Sequence, residues 1–378
     1  MNNKSSILDS KLVVIKVGSS LLFNNDSFNH TWLDSFAKEV KYLREKKVKV
    51  LLVASGAVSF GKKYLTIKDS KILKINEKQA CASCGQSILM QNFIKSFKKQ
   101  KIKVSQILLT FSEIENRKKN LNIRETINSL LEYDVIPVIN ENDSVATDEL
   151  KFGDNDRLAA IVAQISDANI LILLSDVKGL YEKNPFKNKN VKFISKVSEI
   201  NKKIQKMASS NTNLHGSGGM ATKIEAARIA MNFGCNTIIC SGKIKDPIKR
   251  IINKGNENGT WFISKKKKLS HFKRWLASSF KVFGELIIDE GAVLAIKDGS
   301  SLLPSGILKI LGKFSRGDIV EIKSENKILI GRGVISYDSE EIKKIQGKKT
   351  SEIFKVLGYS GRDEIIHRDN FILDDKIK

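Results

Sequence analysis

Six short apolar runs recur along the chain, KLVVIKV, VKVLLVA, VSQILLT, VIPVIN, ANILILLSD and NTIIC, with helical patterns between them. Runs of this length, bounded by small or acidic residues, read as strands buried on both faces, and amphipathic stretches such as TWLDSFAKEVKYLREK read as the helices that cover them. Strand alternating with helix specifies an α/β fold: a mostly parallel open sheet sandwiched by helices, with ligands bound along the carboxyl edge. Further helices are expected near 86–99, 121–132, 154–165 and 219–232.

That edge is where the polar residues gather. In VINENDSVATDELKFGDNDRLAA, residues 138–160, a buried strand ends among Asp143, Asp148, Asp154 and Asp156, and a helix opens with Asp154, Asn155 and Asp156. Ordinary loop polarity, or a helix cap at Asp156, accounts for such acids equally well. The first strand runs into Gly18, Ser19 and Ser20, a phosphate-sized turn in which glycine lets the backbone approach closely, hydroxyls can donate and Lys16 could reach an anion. The second ends in Ser55, Gly56 and Ala57, and another in Ser175 and Asp176. HGSGGMATK then sets Gly216, Gly218 and Gly219 before a helix whose first turn carries Thr222 and Lys223, a combination suited to an anion. Two familiar nucleotide motifs fail: GAVSFGKK has Lys63 where a P-loop needs a hydroxyl, and GSGGMA has neither the preceding strand nor the distal acid of a dinucleotide fingerprint.

A formal charge of +24 would ordinarily point to a phosphate-rich partner, yet only 11 of the 65 basic residues are Arg, the residue favoured for bidentate phosphate recognition. Four cysteines in 378 residues make no disulfide framework. Cys81 and Cys84 form a single CxxC without a second pair or a nearby His, and read as core packing. No apolar run approaches the roughly 20 residues of a membrane helix, and the polar start MNNKSSILDS lacks the apolar stretch of a signal peptide. A cytoplasmic protein with no membrane partner is expected.

After Trp275 the composition changes. KKKKLSHFKRW gives a basic linker at 265–276, and from GELIIDEG onward the segments are short, β-rich and punctuated by Gly. The expected division is a first domain at 1–264, the linker, and a small β-rich domain at 277–378. The last part holds 17 basic and 16 acidic residues, too near neutrality for a strong grip on nucleic acid.

Taken together, KVGSS, ASGAVSFG, INENDSVA, FGDNDRLAA, LLSDVKGLY and GSGGMATK resemble the ordered motif set of the glutamate 5-kinases, within the amino acid kinase family. The tail, with DEGAVLAIKDGSSLLPSGI, GKFSRGDIV and IGRGV, is similar to the PUA domain that many bacterial members carry. Departures are small: Ser175 and Ser217 stand where many relatives have Thr, and CASCGQ replaces a cysteine-free run. The resemblance implies an amino acid kinase fold followed by a PUA-like domain, and ATP-dependent phosphorylation of the γ-carboxylate of L-glutamate at the start of proline biosynthesis.

By position in the motifs, Lys16 and Lys223 would flank the transferring phosphoryl group and Asp156 would hold both ammonium groups. Ser55, Asp143 and Asn155 match glutamate-binding positions, with Asp154 beside them. Nucleotide-binding positions fall on Lys16, Gly18, Ser19, Ser175, Asp176, and the run Ser217, Gly218, Gly219, Met220, Ala221, Thr222 and Lys223. ATP and Mg2+ are implied as cofactors, without a dedicated protein set of metal ligands. Proline as feedback inhibitor and a homo-oligomeric assembly are implied as well; RNA binding by the PUA-like domain is not expected. Two alternatives stay open: another amino acid kinase, such as one acting on acetylglutamate or on a uridine nucleotide, and an RNA-binding role for the tail.

Overall fold

The computed structural model describes residues 7–24, 27–68, 71–145, 155–185, 188, 191–209, 219–254, 258–265, 276, 282–359 and 361–374. The chain divides into two compact units, Met1–Lys268 and Leu269–Lys378. The expected basic linker lies outside the described residues except for Lys265 and Leu276.

In the first unit the strands of the main sheet are β1 (Leu12–Val17), β2 (Lys49–Ala54), β3 (Lys103–Leu109), β4 (Val135–Glu141), β5 (Ile170–Ser175), β6 (Lys196–Val197), β7 (Asn236–Ser241) and β8 (Thr260–Phe262). The helices that position the site are α1 (His30–Glu45), α2 (Ala57–Tyr64), α3 (Ile75–Lys98), α4 (Arg117–Glu132), α5 (Asn155–Ile165), α6 (Met220–Asn232) and α7 (Pro247–Lys254). One eight-stranded sheet results, in the order β6-β8-β7-β5-β1-β2-β4-β3. Every pairing from β7 to β3 is parallel, whereas β8 runs antiparallel to β7. Strand β8, only three residues long, is too short to stand out as an apolar run in the sequence.

Side-chain alternation along β1 feeds two separate cores. Val13, Ile15 and Val17 pack in one layer with Phe36 of α1, Phe93 of α3 and Ile248 of α7. Leu12 and Val14 pack in the other with Leu158 of α5 and Ile224 of α6. Lys16 shares the parity of Val14, so the fold sends a lysine into the α5/α6 layer, where it is only 5% exposed.

Helix α3 starts at Ile75, eleven residues before the expected 86, because KINEKQACASC offers little apolar periodicity. Its start is fixed instead by Glu77, whose carboxylate accepts a hydrogen bond from the Lys74 backbone N–H at 2.9 Å. The small residues that follow serve close packing. A Cβ on Gly85 would stand 1.8 Å from the Ala57 carbonyl oxygen, and one on Gly61 would stand 1.7 Å from that of Cys81. Backbone therefore touches backbone between α2 and α3. Cys81 is wholly buried at this crossing, and burial raises its thiol pKa, which suits packing and not redox chemistry.

On the opposite face of β1 from Lys16, the buried Glu39 of α1 accepts a hydrogen bond from the Lys249 backbone N–H (2.9 Å) at the start of α7. Its second oxygen, Oε2, has no partner among the described residues. Burial pushes the Glu39 pKa up to about 7, with Asp246 adding to the rise and the Lys249 amide opposing it. A carboxyl raised from 4.5 to about 7 on folding binds more protons in the native state across that window, so stability falls as pH rises through it. Glu39→Gln keeps the oxygen that caps α7 and removes the titration. The variant is expected to be more stable than the parent by on the order of 2 kcal/mol at pH 8 and to converge with it near pH 4.5. Urea denaturation at the two pH values checks this; an equal difference at both would contradict it.

The second unit is a five-stranded sheet of β9 (Gly284–Ile288), β10 (Ile307–Gly312), β11 (Ile319–Ser324), β12 (Leu329–Val334) and β13 (Phe371–Leu373), in the order β10-β9-β11-β12-β13. Only β9 and β11 pair in parallel. Leu286, Ile288, Val320, Ile322 and Tyr337 anchor its own core.

Candidate active site

Four neighbouring parallel strands deliver the polar turns to one edge. In sheet order, β5 ends at Ser175 and leads to Asp176, β1 leads to Gly18 and Ser19, β2 leads to Ser55 and Gly56, and β4 leads to Asp143. Three strand spacings of roughly 4.8 Å put the outer two turns about 14 Å apart. The β1 and β2 turns abut directly: a Cβ on Gly56 would lie 3.3 Å from Cβ of Ser19. Gly56 has φ +110°, a left-handed conformation that glycine adopts without strain.

At the centre of this edge three charged side chains meet. Lys16 Nζ lies 2.7 Å from Asp156 Oδ1, and Lys223 Nζ lies 2.9 Å from Asp156 Oδ2. Asp156 is 0% exposed and Lys223 is 5% exposed. Asp156 sits in the first turn of α5 and Lys223 in the first turn of α6, so two helix starts and one strand converge on a single carboxylate. The Thr222 hydroxyl stands 3.2 Å from Asp156 Oδ2 and 2.8 Å from the Gly219 carbonyl oxygen. Burial alone would raise the Asp156 pKa, but the ammonium groups of Lys16 and then Lys223 outweigh it and lower the carboxyl to about 2. Asp156 is therefore ionised at any pH near neutral, and the trio carries one net positive charge out of water. Two ammonium groups held side by side at two helix starts and a strand end suit the binding of an anion.

To one side, Ser175 is buried and its hydroxyl donates to Asp176 Oδ1 at 3.0 Å, while its carbonyl oxygen accepts from the Gly242 N–H at 2.7 Å. Asp176 is exposed beside it. Gly219 and Thr222 are half-buried, Ala221 is exposed and Met220 is buried in the α6 layer. Toward β2 and β4, Ser55, Asp143 and Asn155 are half-buried. Asn155 Nδ2 donates to the Ala54 carbonyl oxygen and, at 2.7 Å, to Asn140 Oδ1. Asp148, Asp154, Gly216, Ser217 and Gly218 lie outside the described residues. The fold thus brings together Lys16, Asp156, Lys223 and Thr222, and aligns the Gly18, Ser55, Asp143 and Ser175 turns along one edge.

The sequence reading passed over two side chains beside these, Gln86 and Asn140. Both are polar and under 8% exposed, on a helix and a strand that are otherwise apolar there. A buried amide at the end of an apolar strand is the signal that could have flagged Asn140.

Residues 11–241 match the model of the amino acid kinase family, and residues 284–357 match that of the PUA domain. The chain belongs to the amino acid kinase family. Among curated relatives it is 46% identical to the glutamate 5-kinase of Pelagibacter ubique over 365 residues, 96% of this chain and 98% of that one. It is 41% identical to the glutamate 5-kinase of Rhizobium etli over 379 residues, covering 100% and 97%. Among solved structures, carbamate kinase from Giardia lamblia bound to AMP-PNP aligns with a TM-score of 0.50 at 14% identity, covering 68% of this chain and 100% of that one. That last likeness is one of fold. In this family member, then, the first unit supplies the kinase fold, and a PUA domain follows it.

Proposed function

We propose that the chain transfers the γ-phosphoryl group of ATP to the γ-carboxylate of L-glutamate, giving L-glutamyl 5-phosphate, the first step of proline biosynthesis. The observation that carries the chemistry is the buried Lys16, Asp156 and Lys223 trio, in which one carboxylate holds two ammonium groups. The near full-length identity to glutamate 5-kinases supports the choice of acceptor. A carboxylate with a pKa near 4 is already ionised at pH 7, so this nucleophile needs no general base. The barrier is repulsion between two anions, and two positioned ammonium groups offset it where charge develops.

Lys16 and Lys223 approach from a strand and from a helix start, so a phosphoryl group moving between the two halves of the edge passes between them. Asp156 fixes both. Ser55, Asp143 and Asn155 hold the amino acid on the β2 and β4 side, and Asp154 is assigned to the same substrate by its motif alone. Ser175, Asp176, Gly18, Ser19 and the stretch from Gly219 to Lys223 hold the nucleotide on the β5 side, and Ser217 and Gly218 are assigned to it by their motif alone. Both Asp156 oxygens face lysines, which makes them unfit ligands for a divalent cation. Mg2+ would instead come with the phosphates of ATP, as it does in sites with few protein carboxylates, and would neutralise part of their charge. A cytoplasmic location follows from a reaction that draws on ATP.

An ATP-dependent hydroxamate assay tests the reading, since hydroxylamine traps an acyl phosphate directly. Signal is expected with L-glutamate and not with acetylglutamate, and ADP release, which needs no acyl phosphate, is expected to be absent with carbamate or a uridine nucleotide. Signal with acetylglutamate alone would overturn the choice of acceptor. Every residue given a role precedes residue 265, so a chain ending at 264 is expected to keep making the hydroxamate. Loss of activity in a truncated chain that still folds would contradict that division of labour.

A further inference from the structure

A line of amides runs from solvent to the edge of the cleft. Gln86 Nε2 on α3 donates to Gln106 Oε1 on β3 at 2.9 Å, Asn140 Nδ2 on β4 donates to Gln86 Oε1 at 2.8 Å, and Asn155 Nδ2 at the start of α5 donates to Asn140 Oδ1 at 2.7 Å. Gln106 is exposed, Gln86 and Asn140 are buried and Asn155 is half-buried. An amide side chain can in principle turn its oxygen and nitrogen end for end, so the direction of such a line has to be fixed by groups that cannot turn.

Two backbone groups fix it here. The Glu141 N–H, which can only donate, points at Asn140 Oδ1 at 2.9 Å. The Ala54 carbonyl, which can only accept, faces Asn155 Nδ2. With Asn140 oriented by Glu141, its NH2 must face Gln86, whose near atom must then be an oxygen. With Asn155 oriented by Ala54, both its amide hydrogens are spent, on Ala54 and on Asn140. What remains is Asn155 Oδ1, which has no partner among the described residues and is not buried. It can only accept.

We propose that Gln86 and Asn140 are positioning residues that hold the Asn155 amide with its oxygen toward the cleft, so that this oxygen accepts a hydrogen bond from the α-ammonium of the amino acid substrate. The inference rests on the glutamate reading above and deepens it. An Asn155 turned the other way would present NH2 and meet an ammonium group with a donor. The Ala54 carbonyl excludes that orientation, and the line of amides holds the side chain in place from α3, an element that carries none of the residues assigned to the reaction. Gln86 acts through Asn140 and Asn155 and touches no reacting atom.

Gln86→Met fills similar space without a donor or an acceptor. It leaves the Asn140 NH2 buried and unpaired, a loss sufficient to let Asn140 and Asn155 shift. The KM for glutamate is expected to rise about tenfold while kcat and the KM for ATP stay within about twofold. Gln86→Glu keeps an oxygen facing Asn140, and the exposed Gln106 can turn its NH2 toward the new carboxylate, so this variant should restore most of the glutamate affinity. Glutarate, which lacks only the ammonium group, should inhibit parent and Gln86→Met with the same Ki.

A glutarate Ki that weakens as much as the glutamate KM would overturn the proposal, because the damage would then be general to the site. Failure of Gln86→Glu to recover beyond Gln86→Met would overturn it too. If Gln86→Met does not fold, Gln106→Met at the exposed end carries the test with the same two ligands; an unchanged ratio of glutamate KM to glutarate Ki would count against the proposal. A parent enzyme inactive on glutamate would instead remove the functional reading on which the inference rests.

Discussion

Asp156→Asn is expected to lower turnover by roughly 100-fold or more. In the parent, one buried carboxylate sits 2.7 and 2.9 Å from two ammonium groups and offsets their mutual repulsion. Asparagine removes that charge without changing the shape, so nothing in the trio then holds the two like charges at their places around the phosphoryl group. The Asp156 carboxyl, held down to about 2, does not titrate anywhere near neutrality. Its contribution to stability is present above the ordinary carboxyl range and is lost only as the pH falls through about 2. Steady-state turnover at neutral pH checks this; a variant kcat within tenfold of the parent would refute the account.

The distribution of that chemistry along the chain explains what the sequence made legible. Strand ends were readable because a buried parallel strand is a nearly continuous apolar run, and Lys16, Ser55 and Ser175 stand out where such runs stop. The meeting of Lys16, Asp156 and Lys223 was reached only through the motif resemblance, because 140 residues separate the first two and no local pattern encodes contact at that distance. By spacing alone Asp156 was equally a helix cap. In the fold its carboxylate faces two lysines instead. The amide line was illegible for a related reason. Gln86 falls in ASCGQSILM, where small and apolar neighbours suggest packing, and they do pack, with Gly85 against α2. Its polar role exists only because α3 lies over the face of β4 that carries Asn140, and a tertiary contact of that kind leaves no trace in either segment alone. Strand β8 escaped because three residues cannot show a period.

Lys223→Met is expected to cost at least as much in turnover as any other single substitution in the trio, roughly 100-fold or more, with little change in the KM for glutamate. The argument is positional. Lys16 rises from the middle of the sheet, where its backbone is locked between β2 and β5 and its side chain lies within the α5/α6 layer. Lys223 stands on the first turn of α6, directly after the glycine-rich segment assigned to the nucleotide, and its ammonium reaches inward to Asp156. In the proposed reaction an ammonium group placed there would bear on the bond to the leaving phosphate, where charge accumulates as the transferring group departs. A contact that strengthens only in the transition state lowers kcat when removed and spares ground-state binding. Its expected contribution is about 3 to 4 kcal/mol. Lys223→Arg should rescue poorly, because a planar guanidinium with fixed donor directions cannot occupy the position of a compact ammonium beside a carboxylate already shared with Lys16. Asp143→Ala provides the contrast: placed on the amino acid side of the edge, it should raise the KM for glutamate and leave turnover nearly intact. Steady-state kinetics with both substrates varied separates these outcomes. A Lys223→Met enzyme with normal kcat and a raised KM for glutamate would assign this lysine to substrate binding and leave Lys16 as the remaining candidate for stabilising the transferring phosphoryl group.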